Sequence, residues 1–171
     1  MFLKVNREKT QVAHVKEIKY LGYGFYIHKG EGRLRIHPKS VQKIKDKIRE
    51  ITGRSNGMGT LERQSRLNQV IRGWTNYFKL ADAKNLLRKL DKWIRSRIRM
   101  VIWKQWKKVR TRFENLKRLG IKEDQAWMWA NTRKGYWRTA HSPILSHAIS
   151  NERLKRAGYL SLLECYSAKQ V

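Results

Sequence analysis

The longest regular feature of the sequence is a helical repeat of apolar residues between residues 82 and 109. Apolar side chains recur there at spacings of three and four, which places them on one face of an α-helix. Two shorter repeats of the same kind precede it, at residues 41–51 and 67–78. Pro38 stands where the first helix would begin and Gly53 where it would end, and Thr60 is a candidate cap for the second. Three amphipathic helices joined by short links predict a helical bundle.

The segments on either side of these helices have different patterns. Residues 18–27 are rich in glycine and aromatic residues, residues 28–32 form a turn signal, and residues 33–36 alternate polar and apolar. This pattern predicts a β-hairpin with a five-residue loop. After residue 112 the helical patterns are short, and one begins at Ser142 and Pro143. We therefore predict an α+β fold that is mostly α, divided into segments 1–36, 37–112 and 113–171.

Charge limits what such a fold can do. The chain has 40 Lys and Arg residues against 13 Asp and Glu, a formal net charge of +27. A polyanion would offset this self-repulsion, so nucleic acid is the first partner to consider and a membrane surface the second. No apolar run approaches the ~20 residues of a membrane span, and no secretory signal is visible. The single Cys165 excludes an internal disulfide and fits a reducing compartment. We expect a cytoplasmic protein without a membrane partner.

The sequence lacks the residue patterns of common catalytic and metal sites. It contains no Asp-x-Asp pair for a two-metal site, no Cys and His spacing for zinc, and no glycine-rich loop ending in Gly-Lys-Ser/Thr. We therefore expect no catalytic residue, no metal and no cofactor in this chain.

Basic residues of the longest helix fall together on one side of it. At about 100° per residue, five cations and two indole rings lie within an arc of about 80°. They are Arg88, Lys92, Arg95, Arg99, Trp103, Trp106 and Arg110. Asp91 is the only acid nearby, so phosphates are expected to neutralise this face. Indole rings in line with cations favour stacking on unpaired bases, as in RNA recognition. Core packing of Trp103 and Trp106, and simple solvation of the cations, are the alternatives.

A second basic and aromatic cluster lies at residues 127–138. Three Trp, one Tyr and three cations occur within these twelve residues. One interpretation is a loop that offers Arg133, Lys134 and Arg138 to phosphate, with Tyr136 or Trp137 against a base or sugar. The other is that the Trp residues fix a small satellite core beside a solvated loop.

Four stretches of the chain resemble bacterial group II intron reverse transcriptases, or maturases. Residues 3–10 (Leu-Lys-Val-Asn-Arg-Glu-Lys-Thr) resemble the end of the polymerase palm, and residues 20–23 (Tyr-Leu-Gly-Tyr) resemble the family's primer-grip turn. Residues 72–78 (Arg-Gly-Trp-Thr-Asn-Tyr-Phe) resemble the signature of the maturase-specific thumb, domain X. Residues 129–137 (Trp-Ala-Asn-Thr-Arg-Lys-Gly-Tyr-Trp) resemble the tail of the same proteins. The last two stretches are the specific ones.

The resemblance implies a role for each segment. Residues 1–36 would be a palm remnant with a primer-grip-like hairpin, residues 37–112 the thumb, and residues 113–171 a basic Trp-rich tail domain. Leu21 and Gly22 match the primer-grip turn. Arg72 and Lys79 flank the apolar side of the second helix and are expected to contact RNA backbone. Gly73, beside Trp74, is expected to permit close helix packing.

The resemblance also implies a function. We expect an RNA-binding maturase domain that assists group II intron splicing and mobility, with intron RNA as its partner and template–primer duplex or target DNA as further candidates. The family's fingers and most of its palm, including the catalytic Tyr-Ala-Asp-Asp, are missing from the sequence. The chain is therefore expected to be truncated from a reverse transcriptase and not to be an enzyme on its own. The alternatives are part of a split RNA-directed DNA polymerase that needs a separate palm-bearing chain, a DNA-binding module, and a remnant without function.

Overall fold

The computed structural model describes residues 13–15 and 17–168. Within these ranges the fold is α+β and mostly α, as predicted, with a small antiparallel sheet followed by nine helices. The palm-like motif at residues 3–10 lies outside the described residues.

The sheet is a three-stranded meander in the order β1-β2-β3. Its strands are β1 (Lys19–Tyr20), β2 (Tyr23–His28) and β3 (Glu31–Ile36). The predicted five-residue loop is wrong, because His28 pairs with Glu31 and leaves a two-residue turn. A second such turn, at Leu21 and Gly22, joins β1 to β2. Both turns have positive φ at both central residues, the geometry that matches the twist of paired strands.

Three long helices follow the sheet: α1 (Pro38–Ile51), α2 (Thr60–Tyr77) and α3 (Lys84–Gln105). Pro38 begins α1 as predicted, and the Nδ1 atom of His37 accepts a hydrogen bond from the Lys39 amide at 3.1 Å. The prediction that Thr60 caps α2 is wrong, since Gly59 occupies the cap position and makes no side-chain bond.

Six shorter helices complete the described chain. They are α4 (Val109–Arg118), α5 (Glu123–Ala130), α6 (Tyr136–Ala140), α7 (Pro143–Ala148), α8 (Asn151–Arg156) and α9 (Leu162–Ser167). Ser142 caps α7 as expected, accepting from the Leu145 amide at 3.2 Å. The sequence patterns predicted no helix at the position of α9.

Asp91 explains how α9 is held. This carboxylate is buried in α3 and accepts hydrogen bonds from the Ser161 hydroxyl at 2.7 Å and the amides of Leu162 and Leu163 at 2.8 and 3.0 Å. It therefore satisfies amides at the beginning of α9 that have no partner within the helix. The anchored helix packs on α2 and α3 and buries Leu162 and Tyr166.

The main core is a cluster of buried apolar side chains from the sheet, the long helices and several of the shorter helices. It includes Ile36 from the sheet, Leu67 and Ile94 from the long helices, and Leu116 and Tyr166 from the shorter ones. The boundaries after residues 36 and 112 stay predictions.

Candidate nucleic-acid interface

The exposed side of α2 carries a shallow groove of about 710 Å³. Hydroxyl and amide side chains, one guanidinium and one glycine line it: Ser65, Asn68, Gln69, Arg72, Gly73 and Asn76. Arg72 is exposed, and the ion pairs within residues 13–15 and 17–168 do not include it. Since no lining side chain is acidic, the α2 groove can donate hydrogen bonds to phosphate or ribose without repelling either.

Gly73 leaves bare backbone in the middle of the α2 groove. It lies inside the helix, and a Cβ atom built there would meet no heavy atom within 4 Å outside the helix backbone. The expectation that Gly73 permits close helix packing is therefore wrong. Glycine inside a helix costs about 1 kcal/mol relative to alanine. Packing does not account for this residue, whereas close approach of a ligand to the backbone would.

Lys79 lies just beyond the end of α2 and is exposed. It takes part in none of the ion pairs found in the described residues. Lys79 thus adds an uncompensated charge about two helical turns along the chain from Arg72.

The predicted basic face of α3 is not one surface. Arg88 and Lys92 are exposed near the beginning of the helix, and Arg88 Nη1 donates to the neutral Asn85 Oδ1 at 2.8 Å. Arg95 is half-buried and lines a cavity of about 270 Å³ between α3 and the chain around α8 and α9. Carboxylates share that cavity: Asp91, Glu152 and Glu164. Only the first part of the face is therefore open and free of acids.

Arg99 lies in the interior, so the prediction that it contacts RNA is wrong. Its side chain donates from Nε to the Ile149 carbonyl at 2.9 Å and from Nη2 to Asn151 Oδ1 at 3.1 Å. Burial, with a smaller effect of Arg95, lowers the pKa of its guanidinium. The chain between α7 and α8 covers this side of α3, which a helical wheel of α3 alone does not reveal.

Trp103 is also a core residue rather than a stacking platform, because it is 1% exposed. Its ring meets that of Trp106 edge-on at 5.7 Å, and the Arg112 guanidinium lies 4.8 Å from its centre. Trp106 is half-buried against the same core. Arg110 belongs to α4, and its guanidinium pairs with Glu114 at 2.9 Å on the surface. Such an exposed pair is weak and leaves Arg110 accessible.

The basic loop before α6 is exposed as predicted. Arg133 and Lys134 of this loop and Arg138 of α6 lie on the surface, and the Lys134 ammonium is 5.4 Å from the centre of the Trp129 ring. Tyr136, in contrast, packs against the small buried cluster of Met100, Val101 and Ala140. The Tyr136 ring therefore packs against side chains of the protein itself.

Sequence reasoning missed four residues that the fold brings to this loop. Arg49 and Arg54 come from the end of α1 and the loop after it, and Trp93 and Arg97 come from α3. Together with Tyr136 and Trp137 they form what we call the arginine–aromatic cluster. The spacing of Trp93 and Arg97, four residues apart, is the only local signal for it.

The guanidinium groups of the arginine–aromatic cluster lie over its rings. Arg49 and Arg97 are 5.7 and 5.9 Å from the centre of the Trp93 ring. Arg97 is also 5.9 Å from the Trp137 ring, and Arg54 is 5.3 Å from the Tyr136 ring. These distances are typical of cation–π contacts.

The turn of Leu21 and Gly22 is anchored by α1 and α2. Tyr77 donates its hydroxyl to the Leu21 carbonyl at 2.7 Å, and Ser40 donates its hydroxyl to the Gly22 carbonyl at 2.9 Å. Gly22 has φ of +83°, and a Cβ atom there would lie 2.9 Å from Ser40 Oγ. Glycine is thus required by both the turn and the packing.

A groove of about 490 Å³ opens beside this turn. Trp74 and Phe78 contribute to its apolar lining, and the lysines around it are Lys19, Lys43 and Lys47. The Leu21 side chain is 65% exposed next to it. The fold therefore brings Leu21 and Gly22 to a surface that combines apolar area with positive charge.

No three His, Cys, Asp or Glu side chains of the described residues are grouped as a metal site would require. Among the helices in this part of the chain, none combines the length and the hydropathy needed to cross a bilayer.

Comparison with known proteins identifies the long-helix region. Residues 41–120 match the family model described as group II intron, maturase-specific domain. No curated protein matches the chain. The matched segment runs from within α1 to the second residue after α4 and includes the α2 groove and the exposed cations of α3. Residues 41–120 therefore carry a group II intron maturase-specific domain, and this match supports the resemblance of the chain to the C-terminal part of a group II intron maturase.

Proposed function

We propose that this chain is an RNA-binding maturase domain that assists the splicing and mobility of a group II intron. Its partner is the folded intron RNA, with template–primer duplex or target DNA as further nucleic-acid partners. It makes and breaks no bond itself, because the catalytic aspartates of the reverse transcriptases it resembles are not in its sequence.

The α2 groove is the observation that carries this proposal. It lies inside the matched domain, it has no acidic lining, and it exposes helix backbone at Gly73 beside the guanidinium of Arg72. Lys79, Arg88 and Lys92 are exposed on the same bundle without a carboxylate partner in the described residues. Amides and cations in this arrangement suit a sugar–phosphate backbone rather than an acidic protein.

The mechanism follows from mass action. Cations attract the folded RNA and release its counterions, and hydrogen bonds from the α2 groove select for the shape of its backbone. A ligand that binds one RNA conformation better than the others raises the population of that conformation. The protein would thus stabilise the spliceable form of the intron.

Competition binding tests the proposal. Structured group II intron RNA and duplex DNA of equal length compete for the wild-type chain at one fixed salt concentration, and we expect the RNA to bind more tightly. The double variant Arg72→Gln/Lys79→Gln should bind the RNA roughly tenfold more weakly, from the loss of two phosphate contacts. The matched control Lys29→Gln/Lys122→Gln removes the same charge from the hairpin tip and the beginning of α5 and should have little effect. Equal affinity for RNA and DNA would contradict an RNA-specific role.

A second candidate is favoured by exposed apolar side chains around the turn of Leu21 and Gly22. Tyr20, Leu21 and Tyr77 are each more than half exposed there, and such patches mark contact with another protein surface. This observation fits part of a split RNA-directed DNA polymerase that joins a separate palm-bearing chain. Primer extension on mixing with a palm-bearing fragment tests it, and the absence of extension with such fragments would remove this candidate.

A further inference from the structure

We propose that the arginine–aromatic cluster binds an unpaired stretch of RNA, with one base stacked on Trp137 and an adjacent phosphate between Arg49 and Arg54. The inference rests on the proposed RNA-binding function and adds a second site, distinct from the α2 groove. The residues of this second site are far apart in the sequence, and sequence patterns do not predict that they lie close together.

Trp137 is the open ring of the cluster. Its side chain is 41% exposed although it lies at the beginning of α6, next to buried residues. His141 supports it from one side, with ring centres 4.4 Å apart, and His141 Nδ1 lies 2.8 Å from the Trp137 carbonyl. A large ring that neighbouring side chains hold and that is partly open to solvent is a suitable platform for a base.

Arg97 fixes the cluster to the end of α1. Its Nε donates to Thr52 Oγ1 at 2.9 Å, and its Nη2 donates to the carbonyls of Thr52 at 3.2 Å and Arg49 at 3.3 Å. These carbonyls lie at the end of α1, where helix carbonyls lack internal partners. The site is therefore preorganised, since Nε of its central side chain is bound to a side-chain hydroxyl and Nη2 is bound to backbone carbonyls.

The cluster has more arginines than nearby carboxylates that pair with them. Arg49 pairs with Asp46 at 2.6 Å, whereas Arg54 and Arg97 occur in no ion pair of the described residues. Burial lowers the pKa of Arg97, and the neighbouring charges of Arg49 and Arg54 add to the effect. A phosphate would relieve this repulsion.

Stacking on Trp137 requires a base whose face is free. In a duplex each base face is covered by its neighbours, whereas unpaired loops and single strands expose it. The cluster is thus expected to distinguish unpaired from paired RNA. The α2 groove, which lacks aromatic lining, is not expected to do so.

Binding to two RNA probes tests this inference. The affinity of a fluorescein-labelled oligouridine 12-mer and of a 20-base-pair RNA duplex is measured by anisotropy at one salt concentration. Trp137→Ala should weaken binding of the oligouridine by roughly tenfold and binding of the duplex by less than twofold. The matched control Trp127→Ala removes another exposed indole, one that meets Phe113 edge-on, and should change neither affinity. Arg54→Gln, in an exposed loop, should weaken oligouridine binding more than Lys122→Gln does.

The outcomes separate this inference from the proposed function. If the wild-type chain binds neither probe, the proposed function fails together with the inference. If it binds both and Trp137→Ala and Arg54→Gln leave the oligouridine affinity unchanged, the inference alone is overturned. Equal weakening of both probes by Trp137→Ala would also overturn it. Circular dichroism and the thermal midpoint establish that each variant is folded.

Discussion

Gly73→Ala is expected to raise the stability of the protein and to lower its affinity for RNA. Alanine is favoured over glycine in a helix by about 1 kcal/mol, and the added methyl would meet no atom within 4 Å outside the helix backbone. The variant should therefore be more stable by about 0.5–1 kcal/mol, which for a chain of this size raises Tm by roughly 1–4 °C. The same methyl fills the middle of the α2 groove. If it prevents one hydrogen bond to ribose or phosphate, worth about 0.5–1.5 kcal/mol, RNA affinity falls by roughly two- to tenfold.

Thermal unfolding by circular dichroism and anisotropy with structured RNA measure the two effects on the same preparation. Gly32→Ala is the matched control, because Gly32 lies in β3 and a Cβ atom there also meets nothing within 4 Å. It adds a methyl away from the α2 groove and should leave RNA affinity unchanged. A Gly73→Ala variant that is more stable and binds RNA as tightly as the wild type would refute the reasoning, since Gly73 would then serve no ligand.

Three further variants test other parts of the account. Asp91→Ala should lower the free energy of unfolding by about 3 kcal/mol in urea titrations, because it leaves the buried Leu162 amide without an acceptor. Arg99→Ala should lower it by about 2–3 kcal/mol and change the RNA affinity of the folded protein by less than twofold, because this guanidinium binds protein groups. His37→Asn should flatten the pH dependence of unfolding. Burial, followed by the charges of nearby cations including Lys39, lowers the pKa of His37 from 6.5, so the unfolded state binds its proton more readily and stability rises with pH up to about that value.

These three predictions have clear contrary results. Retained stability of Asp91→Ala would show that α9 does not depend on the carboxylate. A large loss of RNA affinity in folded Arg99→Ala would show that Arg99 belongs to the RNA-binding surface. An unchanged difference in stability between pH 5 and pH 7 in His37→Asn would assign that difference to other groups.

The sequence predicts the long helices well because their signals are local. Apolar spacing of three and four, together with Pro38, locates α1, α2 and α3 to within a few residues. Turn lengths are harder to predict from the sequence. The pattern predicts a five-residue loop from His28 to Gly32, yet only Lys29 and Gly30 form the turn. No local pattern reveals α9, because the group that satisfies its first amides is Asp91, 71 residues before Leu162 in the chain.

Only those parts of the candidate site that depend on local sequence signals can be predicted from the sequence. The exposure of Arg72, Arg88 and Lys92 follows from the outer faces of single helices, and that of Lys79 from its place just beyond the end of α2. The burial of Arg99 depends on the chain between α7 and α8, which supplies its acceptors, and Trp103 packs against Trp106 and Arg112, which lie beyond the end of α3. A helical wheel of α3 contains no information about these contacts. The arginine–aromatic cluster depends likewise on three segments that meet only in the folded protein.

The salt dependence of RNA binding tests the central claim most directly, namely that exposed cations of the maturase-specific domain capture RNA phosphates. The affinity for structured RNA is measured over a series of salt concentrations for the wild type and for a variant with Gln at Arg72, Lys79, Arg88 and Lys92. Each lost phosphate contact should reduce the slope of log K against log salt by about 0.7–0.9, so the loss of four contacts should reduce it by about three to four. Identical slopes for the two proteins would contradict the account.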